Sequence, residues 1–86
     1  MLSNKNKPDN ITEHEWIVLA NIFDFGGLAH TNVLALSFSG DQDITIKVIN
    51  SLVKKGLFTD ENPWWRSTTE GEKLGKLAFS DVYESE

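Results

Sequence analysis

The chain contains no cysteine, which excludes disulfide staples and thiolate zinc sites and gives no reason to expect an oxidising compartment. No apolar run approaches the roughly 18 residues of a membrane span, and the opening MLSNKNKPDN lacks the apolar core of a signal peptide. A cytoplasmic protein without membrane contact is expected. Histidine is scarce: His14 and His30 are the only two. His14 lies between two glutamates in a first helical turn, and the pair matches no zinc-ligand spacing. There is no nucleophile constellation and no phosphate-cradling glycine loop, so neither an enzyme, a metal site nor a cofactor is expected. Cations are also short. Eight Lys and Arg stand against thirteen Asp and Glu, giving a net charge of −5 and a pI near 4.9.

What remains is the profile of a folded domain. Hydrophobic residues make up 40%, charged residues 24% and aromatics 10% of 86 residues, enough for one domain with one small core that buries about 60–65% of the unfolded surface. Residues 1–10 are expected as a flexible tail, 11–80 as the domain, and 81–86 as an acidic tail or helix end. The initial methionine favours 86 residues as the natural length. Acid concentrates at the ends: residues 1–40 and 70–86 are net negative. Residues 41–69 balance Lys47, Lys54, Lys55 and Arg66 against Asp41, Asp43, Asp60 and Glu61.

Local signals give an order of elements. Thr12 and Glu15 form a capping box, with Ile11 and Trp16 as a hydrophobic staple. Trp16, Leu19, Ala20 and Phe23 then make a core stripe, and Val18, Ile22 and Phe25 a second. That helix stops at Gly26-Gly27, and after a turn Thr31 or His30 begins a second helix through Val33 to Leu36. A third runs from Asp41 or Asp43 to Lys55, with Ile44 or Thr45, Val48, Ile49 and Leu52 inward and Asp43, Lys47, Asn50, Ser51 and Lys54 as a polar stripe. Gly56 closes it. LFT and WWRS read as strands around a turn at residues 60–63. Thr68 or Thr69 caps a last helix with Leu74, Leu77, Ala78 and Val82 facing in. The fold class is α+β and mostly α.

Helix, helix, helix, glycine, hairpin and helix, in that order, resembles the winged helix-turn-helix family, in particular its small MarR-like and PadR-like transcription regulators. INSLVKKGLF, residues 49–58, is similar to the end of that family's recognition helix. WRSTTEGEKL, residues 65–74, is similar to its exit from the wing, with Trp65, Arg66, Thr68, Gly71 and Leu74 at the matching places. Ser67 departs from the pattern, where leucine is usual, so less burial is expected there. The resemblance spans about residues 11–78.

It implies double-stranded DNA as the partner, with the third helix in the major groove. Asn50 would then read adenine, and Lys47 or Lys54 guanine or phosphate. Thr45 and Ser51 would make weaker contacts, Gln42 would read a base at the helix start, and Arg66 would contact backbone or minor groove from the wing. The low pI opposes this, since DNA-binding domains usually carry a basic patch. A homodimer would double the cations, and Val18, Ile22 and Phe25 on the first helix with Phe79 and Tyr83 on the last are its candidate surfaces, unless the two helices simply pack together. The alternative is a protein-interaction module anchored by an exposed wing tryptophan, Trp64 or Trp65, since strand alternation sends them to opposite faces.

Overall fold

Thr12 opens the first helix as a reciprocal cap. Its hydroxyl accepts from the Glu15 N–H at 3.1 Å, and Glu15 Oε1 accepts from the Thr12 N–H at 2.8 Å. The structure, a computed structural model, describes residues 5–84. Helix α1 (Glu13–Asp24) buries Trp16, Val18, Leu19, Ala20 and Ile22, so both apolar stripes enter the core of the same chain. Val18 and Ile22, offered as interface candidates, are fully buried in the core of this chain and present no surface to a second copy. Only Phe25 of that stripe is exposed. Gly26 and Gly27 end the helix at φ 78° and 91°, and the Gly27 N–H donates to the Ile22 carbonyl at 2.8 Å.

Residues 28–30 form a strand where the sequence suggests a turn. β1 (Leu28–His30) is too short to announce itself and exists because a partner strand lies beside it. Next come α2 (Thr31–Leu34), a 3₁₀ turn (Ala35–Phe38) and α3 (Gln42–Lys54). Asp41 caps α3, accepting from the Ile44 N–H at 3.1 Å. Inward from α3 come Thr45, Ile49 and Leu52, while Ile44 is part-exposed.

β2 (Phe58–Glu61) and β3 (Trp64–Ser67) form a hairpin. Asp60 and Glu61 belong to the strand, so only Asn62 and Pro63 make the turn. The sheet is antiparallel with order β1-β3-β2, pairing Leu28 with Arg66 and Phe58 with Ser67 at its ends. Alternation along β3 turns Trp65 inward to 1% exposure, while Trp64 stays 50% exposed. Buried Trp65 donates its Nε1–H to Thr31 Oγ1 at 2.7 Å, and that hydroxyl donates to the Pro63 carbonyl at 3.1 Å. One threonine thus ties the start of α2 to the hairpin turn.

Thr68 caps α4 (Thr69–Phe79) and also bonds back to the Gly56 carbonyl at 2.7 Å. The face of α4 that meets the core is Gly71, Gly75 and Ala78, with Leu74 and Val82 partly buried. Leu77, expected inside, is 42% exposed. The reason is close approach: a Cβ on Gly71 would lie 1.9 Å from the Leu57 carbonyl oxygen, so the small residues set the rotation of the helix and carry Leu77 outward. A π-helical turn (Ser80–Glu84) follows.

Both ends of the described chain are tied to the domain, and of the acidic tail or helix end expected for residues 81–86, residues up to Glu84 form a helical turn. Residues 5–10 make turns that bind the domain: the Asn6 N–H and Nδ2–H donate to Asp81 at 2.7 and 2.8 Å, and Lys7 Nζ donates to the Ile11 carbonyl at 2.7 Å. Asp81 is accordingly buried and also accepts from Trp16 Nε1–H at 3.2 Å, so it is no part of an acidic tail. Residues 1–4, 85 and 86 lie outside the described residues. The architecture is α+β and mostly helical, with four α-helices and a three-stranded antiparallel sheet. Among the described residues no helix is long and apolar enough to cross a membrane.

The glycines of α4 provide a test by denaturant unfolding. Gly71→Ala should lose about 2–3 kcal/mol, because overpacking outweighs the roughly 1 kcal/mol of helix propensity that alanine returns. Gly75→Ala should lose clearly less, since its Cβ would meet Leu19 O and Phe23 Cβ at 3.1 Å.

Candidate nucleic-acid interface

Helix α3 has a 3.6-residue repeat and a core face at Thr45, Ile49 and Leu52, so its opposite face is set by geometry. On that outer face Lys47, Asn50 and Lys54 are exposed. Lys47 precedes Asn50 by three residues and Lys54 follows it by four, which places an amide between two ammonium groups spread over about 10 Å of helix. None of the three bonds to another described residue. Gln42, at the helix start, is exposed and donates to Asn32 Oδ1.

Two expected contact residues are engaged within the fold. Thr45 is fully buried, its hydroxyl donating to the Asp41 carbonyl at 2.7 Å. This is the backbone bond that a threonine makes to residue i−4 when its face is dry. Ser51 Oγ donates to Glu15 Oε2 at 2.6 Å. Ser51 follows Lys47 by four residues, about 40° round the helix, and lies at the edge of the outer face where Glu15 of α1 reaches it.

That claim belongs to a cluster that the sequence pattern does not reveal. The Glu15 carboxylate, 2% exposed, accepts from Lys55 Nζ at 2.7 and 2.8 Å, from Ser51 Oγ and from the Thr12 N–H. Lys55 also donates to the Asn10 carbonyl at 2.6 Å. Burial raises the Glu15 pKa, but the bonds from Lys55, Ser51 and Thr12, with the charge of Lys55, outweigh it and hold the carboxyl below its ordinary value of 4.5. Of the basic pair that ends α3, Lys55 is thus structural, whereas the Lys54 side chain bonds to no other described residue. The capping box gave a hint, since Glu15 was already an anion at a fixed place, but its partner lies 40 residues away.

The outer face of the sheet is a second exposed surface. Trp64 and Arg66 point out from β3, flanked by Leu28 and His30 on β1 and by Thr59 and Glu61 on β2. The Trp64 ring meets His30 edge to face at 5.2 Å, and Arg66 Nε lies 3.5 Å from Glu61 Oε2 in an exposed pair. His30 Nδ1 accepts from the Asn32 N–H at 3.0 Å and so caps α2. Thr31 is buried. Of the other interface candidates, Phe25 and Tyr83 are exposed, and Phe79 is half-buried between Phe23 and Tyr83 at 5.7 and 5.1 Å.

Electrostatically the α3 face is neutral: Lys47 and Lys54 offset Asp41 and Asp43, and the hairpin adds Asp60 and Glu61 beside Arg66. Chemically, the arrangement offers a planar amide for bidentate hydrogen bonds and two point charges for acidic oxygens. No family model, curated protein or solved structure matches the chain.

The Glu15 cluster has a pH signature. A depressed folded pKa contributes stability that is present above the unfolded value near 4.5 and disappears as pH falls through the folded value. The difference in unfolding free energy between wild type and Glu15→Gln should therefore be largest at neutral pH and shrink toward zero in acid. Lys55→Met should cost on the order of 2 kcal/mol at neutral pH, less than a fully buried pair because Lys55 is partly solvated.

Proposed function

We propose that the chain is a small winged-helix DNA-binding protein that regulates transcription in the cytoplasm, with α3 entering the major groove and the β2–β3 hairpin acting as the wing. The observation that carries this reading is the row Lys47, Asn50, Lys54: three exposed polar side chains on one helix face, none bonded to another described residue. The element order, the β1-β3-β2 sheet and the packing of α3 against β2 support it. In this reading Asn50 pairs with a base edge, and Lys47 and Lys54 contact guanine or phosphate. Gln42 exchanges its bond to Asn32 for a contact at the helix start, and Arg66 leaves Glu61 for the backbone. Thr45 and Ser51 take no part.

One domain supplies at most Lys47, Lys54 and Arg66 to phosphates. At about 0.9 per contact in the slope of log affinity against log salt, that is a slope of roughly −2 to −3. Specific recognition at such a low charge requires two copies on two half-sites about one helical turn apart.

A second reading is favoured by Trp64, half of whose surface is open beside Arg66 and Leu28. In it the domain binds a protein through the outer face of the sheet, where tryptophan and arginine are the usual anchors.

Anisotropy titration against labelled duplex DNA at about 50 and 200 mM salt separates the two. On the DNA reading, Lys47→Ala and Lys54→Ala each weaken binding and lower the salt slope by about one, Asn50→Ala relaxes preference for one base by about 1–3 kcal/mol, and Lys73→Ala on α4 changes little. Absence of binding at the lower salt would end that reading and turn attention to Trp64→Ala with a protein partner.

A further inference from the structure

Three of the most exposed large apolar side chains surround a single groove. Leu36, on the 3₁₀ turn, is 75% exposed, Phe25 54% and Tyr83 53%, and Val33 completes the apolar lining. The groove lies between the end of α1, the α2–3₁₀ segment and the π-helical turn. Its floor is fixed by a chain of hydrogen bonds: the Tyr83 hydroxyl donates to Asn21 Oδ1, and Asn21 Nδ2 donates to Ser37 Oγ. Asn21 is itself buried, so the three walls are tied together and the groove exists before anything enters it.

Its volume is about 260 Å³, below the roughly 300–1,000 Å³ of small-molecule sites, and it suits one or two inserted side chains. Its charge has one sign. Among the described residues of the lining, Asp24 alone carries a charged side chain, and exposed Glu84 follows Tyr83. Burial, and secondarily the charge of Asp24, pushes the Tyr83 phenol up, so the carboxylate acts on the groove itself.

We propose that this groove docks a basic amphipathic helical segment of another protein, which inserts bulky apolar side chains between Phe25, Leu36 and Tyr83 and sets lysine or arginine against Asp24. An anionic membrane surface is repelled by the same carboxylate. A second copy of this chain is a poor occupant, because a two-fold contact through this groove brings Asp24 to Asp24 between molecules that each carry a net charge of −5. The groove uses none of the α3 residues assigned to DNA, so the two proposals stand or fall separately.

The probe is a synthetic helix with leucines at i and i+4 and lysines elsewhere, titrated into ¹⁵N-labelled protein, with the same helix carrying glutamates for lysines as control. Amide shifts should concentrate at Asp24, Leu36, Ser37 and Tyr83. Leu36→Asp should weaken the lysine helix about tenfold or more, since it truncates a central apolar contact, and Asp24→Asn by a few fold. Leu36 is mostly solvated, so the variant should keep its fold, which the spectrum itself reports. The proposal is overturned if the lysine helix does not bind, if shifts fall elsewhere, or if both helices bind equally. A concentration-dependent dimer in sedimentation that Leu36→Asp abolishes would also overturn it, in favour of a second copy.

Discussion

A buried carboxylate at the head of α1 governs how the rest of the molecule presents itself. Glu15 closes the cap of its own helix, takes the hydroxyl of Ser51 and holds the ammonium of Lys55. Two of these groups belong to α3 or its C-terminal cap, so the contact sets both the tilt and the rotation of that helix. An unpaired anion here would cost several kcal/mol. Satisfying it holds the Ser51 edge of α3 against α1, while burial of Thr45, Ile49 and Leu52 leaves Lys47, Asn50 and Lys54 on the exposed side. The candidate interface is in this sense bounded along one edge by an internal ion pair.

The same economy runs through the cations. Lys55 is used by Glu15, Arg66 is shared with Glu61, and Lys73 lies 3.4 Å from Glu70. The latter two pairs are exposed and weak, and a phosphate can compete for Arg66. A surface that is neutral overall can still recognise a polyanion if the uncommitted charges are adjacent, which is the arrangement on α3. The acids at Asp24 and Glu84 lie on other elements, and charges more than a Debye length apart, about 8–10 Å at ordinary salt, are largely screened from one another.

The hairpin depends on a second polar relay. Trp65, Thr31 and the Pro63 carbonyl form a hydrogen-bonded line under the sheet, which lets a large indole sit in the core without an orphaned N–H. Anchoring Trp65 inward leaves Trp64 outward by pleat alone. The polar bonds under the sheet and at the head of α1 thus help decide which residues are exposed, while the apolar core supplies the burial that drives folding.

Sequence by itself determined the features that depend on neighbours along the chain. The Thr12–Glu15 and Thr68 caps, the stop at Gly26-Gly27, the periodicity of α3 and the existence of the hairpin all follow from backbone rules acting within a few residues. The exposed row Lys47, Asn50, Lys54 was legible for the same reason. Tertiary structure decided what depends on a remote partner. β1 needed β3 beside it. Ser51 looks polar and outward on a helical wheel until Glu15 claims it, and Val18 and Ile22 look like an interface until the core of the same chain takes them up. Leu77 turned outward because the carbonyl of Leu57 and the backbone of α1 admit only glycine and alanine at that distance, and Asn6 was drawn onto the fold because Asp81 is buried and needs donors. A periodic pattern identifies a face, but only the groups that meet that face determine whether it is core, scaffold or binding surface.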